Sequence, residues 1–196
     1  MKHPGMINIV SDTSNEIFEW SERNFSKVKI VIEKYPAGKQ QSAVIPILDL
    51  AQRQNNGWLN RSAIEKVSET LSMSFIRVME VVSFYSMFNL EPVGKNFIQI
   101  CRTTPCWLRG SNKLLDVVKE VTGCNLGETS EDKKFTLVEV ECLGACCNSP
   151  MVQINDDYYE DLNEDNFRKV LLKLKNNENI NKGSQSGRRG SSPEKN

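Results

Sequence analysis

Four cysteines in two pairs are the residues of this chain best suited to chemistry. Cys101-Arg-Thr-Thr-Pro-Cys106 is the first pair and Cys142-Leu-Gly-Ala-Cys146 the second, with Cys147 following at once. Each pair follows a short apolar run, Phe97-Ile98-Gln99-Ile100 in one case and Leu137-Val138-Glu139-Val140 in the other. Four thiolates on two such loops can converge on one soft metal centre. Structural zinc is commonly held by C-x2-C knuckles, and the C-x2-C-x2-C run of cubane ferredoxins is absent here. The wider C-x4-C and C-x3-C gaps suit a centre whose two irons are each held by one pair. They favour a [2Fe–2S] cluster over zinc without removing zinc. His3 is the one histidine, so a Rieske set with two His ligands is excluded.

The residues around the pairs carry further expectations. Gly144 permits positive φ and lets backbone N–H groups approach cluster sulfurs, which raises a reduction potential. Pro105 stiffens the first loop before its second cysteine. Charge acts the other way. Between Phe135 and Phe167 there is no Lys or Arg but there are eight acids, Glu139, Glu141, Asp156, Asp157, Glu160, Asp161, Glu164 and Asp165. One acid about 8 Å away opposes an added electron by roughly 2 kcal/mol at an effective dielectric near 20. The acids therefore predict a low potential, unless they are simply a solvated face. Cys124, after the helix-ending Gly123, reads as structural. Cys147 competes with Cys146, but neighbours on an extended loop point in opposite directions, and Cys146 is preferred.

The rest of the chain must position these groups in a reducing setting. Of 196 residues, 39% are hydrophobic and 26% charged, and Lys plus Arg equals Asp plus Glu at 25 each. No global field attracts nucleic acid or an acidic membrane surface. No apolar run approaches the ~20 residues of a membrane helix. The N-terminus lacks the apolar core of a signal peptide and the Arg-rich, acid-poor character of a transit peptide. A protein working where it is made keeps its thiols reduced, so paired cysteines read as ligands before disulfides.

Periodicity predicts an α+β chain. Residues 1–15 read as a loose arm and 16–90 as a helical segment. Helices are expected over 21–34, over 42–54 with Pro46 in the first turn, after the N-cap Asn60, and after Ser74 with Phe75, Val78, Val82 and Tyr85 on one face. The Met and aromatic residues there read as core, with a partner-docking surface as the alternative. Residues 91–176 read β-α-β-β-α: strands at 96–100 and 135–141, a helix at 111–122, a hairpin of 151–154 and 158–162, and a last helix at 164–175. This is the order of a thioredoxin-like half, with the first two strands parallel and the last two a hairpin. Residues 177–196 are polar and read as a flexible tail.

Specific stretches carry a family resemblance. They are Tyr35-Pro-Ala-Gly-Lys-Gln-Gln-Ser-Ala-Val-Ile-Pro46, Leu48-Asp-Leu-Ala-Gln-Arg-Gln54, Gly57-Trp58, Phe84-Tyr-Ser-Met-Phe88, both cysteine loops and Gln153-Ile-Asn-Asp-Asp-Tyr-Tyr-Glu-Asp161. Across roughly residues 16–175 the chain resembles the small iron–sulfur subunit of the NADH-binding module of respiratory complex I, the NADH-quinone oxidoreductase. The resemblance implies a helical segment followed by a thioredoxin-like ferredoxin domain with one [2Fe–2S] cluster on Cys101, Cys106, Cys142 and Cys146. It implies an electron-transfer subunit, not catalytic alone, whose cluster exchanges one electron with the FMN of a larger partner. That partner binds NADH and FMN, and this chain shows no dinucleotide fingerprint of its own. The implied location is the cytoplasmic side of a bacterial inner membrane, peripheral within a membrane complex of further subunits. Two other readings stand beside it: the equivalent diaphorase subunit of an NAD-linked hydrogenase or formate dehydrogenase, and a zinc-stabilised interaction module. Cys147 stands where the family more often has an aliphatic residue.

Overall fold

The computed structural model of the chain describes residues 17–191. The expected loose arm, 1–15, and the last residues of the expected tail, 192–196, lie outside the described residues, as does His3. The chain divides into two compact units that adjoin in sequence at Val93 and Gly94. Among the described residues no helix is long and apolar enough to cross a membrane.

The first unit is helical. It contains α1 (Glu22–Ile32), a single 3-10 turn (Gln40–Ala43), α2 (Val44–Gln54), α3 (Arg61–Leu71) and α4 (Phe75–Phe84). The starts follow from local chemistry. Ser21 accepts from the backbone of Asn24, and Asn60 accepts from Ala63 at 2.8 Å. Pro46 sits in the first turn of α2, where its missing N–H costs little. Ser74 occupies the cap position of α4 but makes no capping bond with its side chain. Ile47, Leu48, Ala51, Ile64, Val67, Val78 and Val82 close one core. Tyr85 departs from the expected inner face and is 40% exposed, because the chain leaves helical geometry there.

The second unit has the expected β-α-β-β-α order, with one short helix and one short strand added to it. Its elements are β1 (Asn96–Cys101), α5 (Thr104–Leu108), α6 (Ser111–Thr122), β2 (Phe135–Val140), β3 (Val152–Ile154), β4 (Asp157–Glu160), α7 (Glu164–Lys175) and β5 (Gly183–Ser184). The sheet order is β2-β1-β3-β4-β5. β1 and β2 are parallel, and β3 runs antiparallel to both β1 and β4. Asn155, at φ +54, opens the tight turn of the hairpin, a conformation Asn tolerates better than most residues. α6 and α7 pack on each other and share a core with one sheet face: Ile98, Ile100, Leu137, Val152, Ile154, Leu114, Val118, Phe167 and Leu171. Burying each such side chain contributes about 1.5–3 kcal/mol. Cys124 is buried in this core, its thiol 3.5 Å from the Phe135 carbonyl.

The two additions go beyond what the sequence suggests. Cys106 stands on the short helix α5 where a stiffened loop is expected, because the fixed φ of Pro105 suits the first turn of a helix. The segment from 177 to 191 differs from the expected flexible tail over its described length. Gly183–Ser184 pairs parallel with Tyr159–Glu160 as β5. A shortage of apolar residues predicts a tail, whereas Ile180 packs against the core and polar contacts hold the residues after it.

Candidate metal centre

The parallel pairing of β1 and β2 sets the two cysteine pairs side by side. Cys101, the last residue of β1, is in register with Val140, the last of β2. The two loops therefore leave adjacent strands at one level, with Cys142 two residues beyond the strand end. Arg102 ties the start of the first loop down. Its Nη1 donates to Glu139 of β2 at 2.7 Å, and its Nε and Nη2 donate to the Asn112 Oδ1 of α6 at 3.2 and 3.0 Å.

The first pair is core and the second is surface. Cys101 and Cys106 are each 1% exposed and cluster with Ala145 and Met151, with Leu143 and Tyr158 packed against them. Cys142 and Cys146 are exposed, their sulfurs 3.5 Å apart. It is Cys146, on the 3-10 turn Cys146–Asn148, that makes this approach, while Cys147 is bound through its backbone carbonyl. Gly144, at φ +83, turns its N–H onto the Cys142 sulfur at 3.4 Å. The Tyr158 hydroxyl donates to the Leu143 carbonyl at 2.7 Å. The Ser149–Pro150 peptide that follows is cis.

The thiols respond to one another. Burial pushes the Cys106 thiol up to about 12; a hydrogen bond from the Met151 backbone opposes this, and the thiol of Cys101 adds to it. The Gly144 N–H, then the Cys146 thiol and, more weakly, Thr103 and Cys101 hold Cys142 below the ordinary thiol range. Cys142, followed by burial and Cys101, raises Cys146. Members of the two pairs thus feel each other. A bound metal deprotonates a coordinating thiol outright, which the buried Cys106 requires before it can act as a thiolate. Among the described residues, no three His, Cys, Asp or Glu side chains converge as ligands of a single ion. Four thiols on two adjacent loops, one pair buried and one exposed, are a donor set of the kind that an iron–sulfur cluster takes.

The acid run is not the bare negative face that its sequence suggests. Glu139 pairs with Arg102 at 2.7 Å, Asp157 with Lys182 at 2.7 Å, Glu164 with Lys113 at 3.0 Å and Asp161 with Arg188 at 3.6 Å. Glu160 is fully buried and accepts from the backbone and hydroxyl of Ser191. The cations come from outside the Phe135–Phe167 stretch, so the charge of that stretch alone cannot reveal them. Thr103, Met151 and Asn148 carry no mark in the sequence. Thr103 and Asn148 lie near cysteines in sequence but their types do not single them out, and the fold brings the Met151 backbone to Cys106.

Comparison with known proteins agrees with this architecture. The family model for thioredoxin-like [2Fe-2S] ferredoxins matches residues 28–175. The E subunit of NADH-quinone oxidoreductase from Rickettsia conorii is 54% identical over 159 residues, covering 81% of this chain and 95% of the relative. NADH dehydrogenase (ubiquinone) flavoprotein 2, mitochondrial, of Dictyostelium discoideum is 48% identical over 172 residues, covering 88% of this chain and 70% of the relative. A solved NAD+-reducing [NiFe]-hydrogenase in the air-oxidized state aligns with TM-score 0.59 at 18% identity, over 66% of this chain and 23% of that one, a likeness of fold alone. The chain belongs to the thioredoxin-like [2Fe-2S] ferredoxins and, within them, to the family of the NADH-quinone oxidoreductase E subunits. It is accordingly an iron–sulfur component of an oxidoreductase complex.

Proposed function

We propose that this chain is a one-electron station beside a flavin held by another subunit. Cys101, Cys106, Cys142 and Cys146 would hold the [2Fe–2S] cluster. The bound cluster supplies storage of a single electron. The residues of this chain supply the rest. The buried first pair excludes water from one side of the site, and the exposed second pair leaves the other side open to a partner. The backbone N–H groups of Gly144 and Met151 donate towards sulfur and so favour the more negative, reduced form. Because Arg102, Lys182, Lys113 and Arg188 pair with four of the acids, the field opposing an added electron is weaker than eight unpaired charges would make it.

The partner proposed is the larger NADH- and FMN-binding subunit, with one electron exchanged between FMN and this chain. The proposed location is peripheral, on the cytoplasmic side of a bacterial inner membrane, among further subunits of the complex. The observation that carries the reading is the juxtaposition of a buried and an exposed cysteine pair at the ends of adjacent parallel strands. Anaerobic purification with partners tests it. The expected result is two irons and two sulfides per chain, with one reducible paramagnetic spin and a co-purifying flavin subunit. Zinc in place of iron would sink it. A nickel–iron or molybdenum subunit in place of quinone-module subunits would move the chain to the diaphorase alternative.

A further inference from the structure

The C-terminal segment lies on the second cysteine loop. Beyond β5, Arg188 donates from Nη2 to the Cys147 carbonyl at 2.9 Å. The Arg189 carbonyl accepts from Asn148 Nδ2 at 3.0 Å. Asp161 joins loop and segment. Its backbone N–H donates to the Asn148 carbonyl at 2.7 Å. Its carboxylate accepts from Asn148 Nδ2 at 2.9 Å and from the Ser184 hydroxyl at 2.5 Å, with Arg188 Nε at 3.6 Å. The Asp161 side chain is 6% exposed, and its φ of +52 is an uncommon conformation for a residue with a Cβ. Such a conformation persists where surrounding contacts over-determine it.

We propose that residues 183–191 form a strap, buckled at Asp161, that positions the Cys146–Asn148 turn and with it the second cysteine pair. The proposal rests on the reading of that pair as cluster ligands. Ala145 anchors the start of the turn in the apolar cluster, but beyond it Cys146 and Cys147 are exposed and no side chain caps the turn. Its carbonyls are held instead by groups far along the chain: Cys147 by Arg188, and Asn148 by the Asp161 backbone. The Asn148 side chain completes the buckle by donating to both Asp161 and the strap backbone. Arg188 and Asp161 touch no sulfur in these contacts. They act through Cys147 and Asn148, and are positioning residues. The strap lies beyond residues 28–175, the part matched by the family model, so it extends the ferredoxin domain rather than repeating it.

Amide hydrogen exchange on the full chain, on Arg188→Ala and on a chain ending at Lys182 tests the strap, with iron, sulfide and the paramagnetic spectrum of the reduced protein read on the same samples. Removing the Arg188 contact is expected to speed exchange over 144–149 by about tenfold, the worth of one charge-assisted hydrogen bond. The shortened chain should show more, with α6 and β1 unchanged in both. The spectrum should broaden in Arg188→Ala as the second pair samples more positions, and Arg188→Lys, which keeps a donor and a charge, should recover part of the sharp signal. Unchanged exchange over 144–149 in both variants overturns the proposal, and so does uniform acceleration across 94–175, which would mark general destabilisation. If the shortened chain fails to fold, Arg188→Ala decides alone. An unaltered chain that binds no iron sinks the cluster reading, while its exchange still reports on the strap.

Discussion

The two cysteine pairs are built in opposite ways. Cys101 and Cys106 belong to a packed cluster with Ala145 and Met151, one at a strand end and the other in the first turn of a helix. Cys142 and Cys146 sit at the surface on a turn held by separate polar contacts, from Gly144, Tyr158, Asp161 and Arg188. The difference separates two sources of precision. A buried pair inherits its position from close packing, which tolerates little displacement. The exposed pair is anchored by packing only through Leu143 and Ala145 between its members, and the rest of its loop is fixed by polar bonds that can each be removed singly.

The largest effects should ignore this difference. Alanine at Cys101, Cys106, Cys142 or Cys146 is expected to abolish the cluster, measured as iron and sulfide per chain, whereas Cys147→Ala should keep it. Retention in Cys146→Ala with loss in Cys147→Ala would exchange the two ligands. Next comes Gly144→Ala. An added Cβ meets nothing within 4 Å, so its cost is the positive φ alone, about 1–2 kcal/mol. Gly144→Asn should recover part of that loss in urea unfolding, because Asn visits this region more readily.

Stability of the iron-free chain distinguishes the pairs directly. Cys106→Ala leaves a small void in a packed cluster and should cost about 1 kcal/mol, while Cys142→Ala, at the surface, should stay within about 0.5 kcal/mol of the unaltered chain. Equal costs would mean that burial does not separate them. Tyr158→Phe, which strips a donor from the Leu143 carbonyl, should cost about 1 kcal/mol or less and loosen the second loop only.

The smallest expected effect is a pH dependence at the buckle. Burial alone would raise the Asp161 carboxyl, but hydrogen bonds from Ser184 and Asn148 and the charge of Arg188 outweigh it, and its folded pKa is lowered. A depressed carboxyl contributes stability that is complete above its unfolded value, near ~3.9, and is lost as pH falls through the lower folded value. Acid titration of the unaltered chain should therefore release the 144–149 amides below about pH 4, by the same linkage. Asp161→Asn should remove that step. A step that survives the substitution would assign it to another carboxylate.

Much of the frame is legible in the sequence because its signals are local and periodic. Helices α6 and α7 have the bounds that their sequences predict, since their apolar residues repeat at i, i+3 and i+4 and each has a plain boundary: Gly123 after one, the Asn163 capping box before the other. The β1–β2 parallel pair follows from the intervening helix. Helix α5 is hidden because five residues carry no period. The strap is hidden because its contacts are polar and join Arg188, Asn148 and Asp161 across stretches with no repeating pattern. The ion pairs of Glu139, Glu164, Asp157 and Asp161 are hidden for a related reason: their cations, Arg102, Lys113, Lys182 and Arg188, lie outside the acidic stretch.

Residue types and spacing by themselves pointed to the candidate donors: two sulfur pairs spaced more widely than a zinc knuckle, with a single histidine in the chain. They also determined the β-α-β crossover that brings the two loops to adjacent strand ends. Only the tertiary structure decided that one pair is core and the other surface, that Cys146 turns its sulfur to Cys142 while Cys147 offers its carbonyl to Arg188, and that Glu139, Asp157, Asp161 and Glu164 meet cations from outside their stretch. Those are contacts between residues distant in sequence, and no local pattern encodes them.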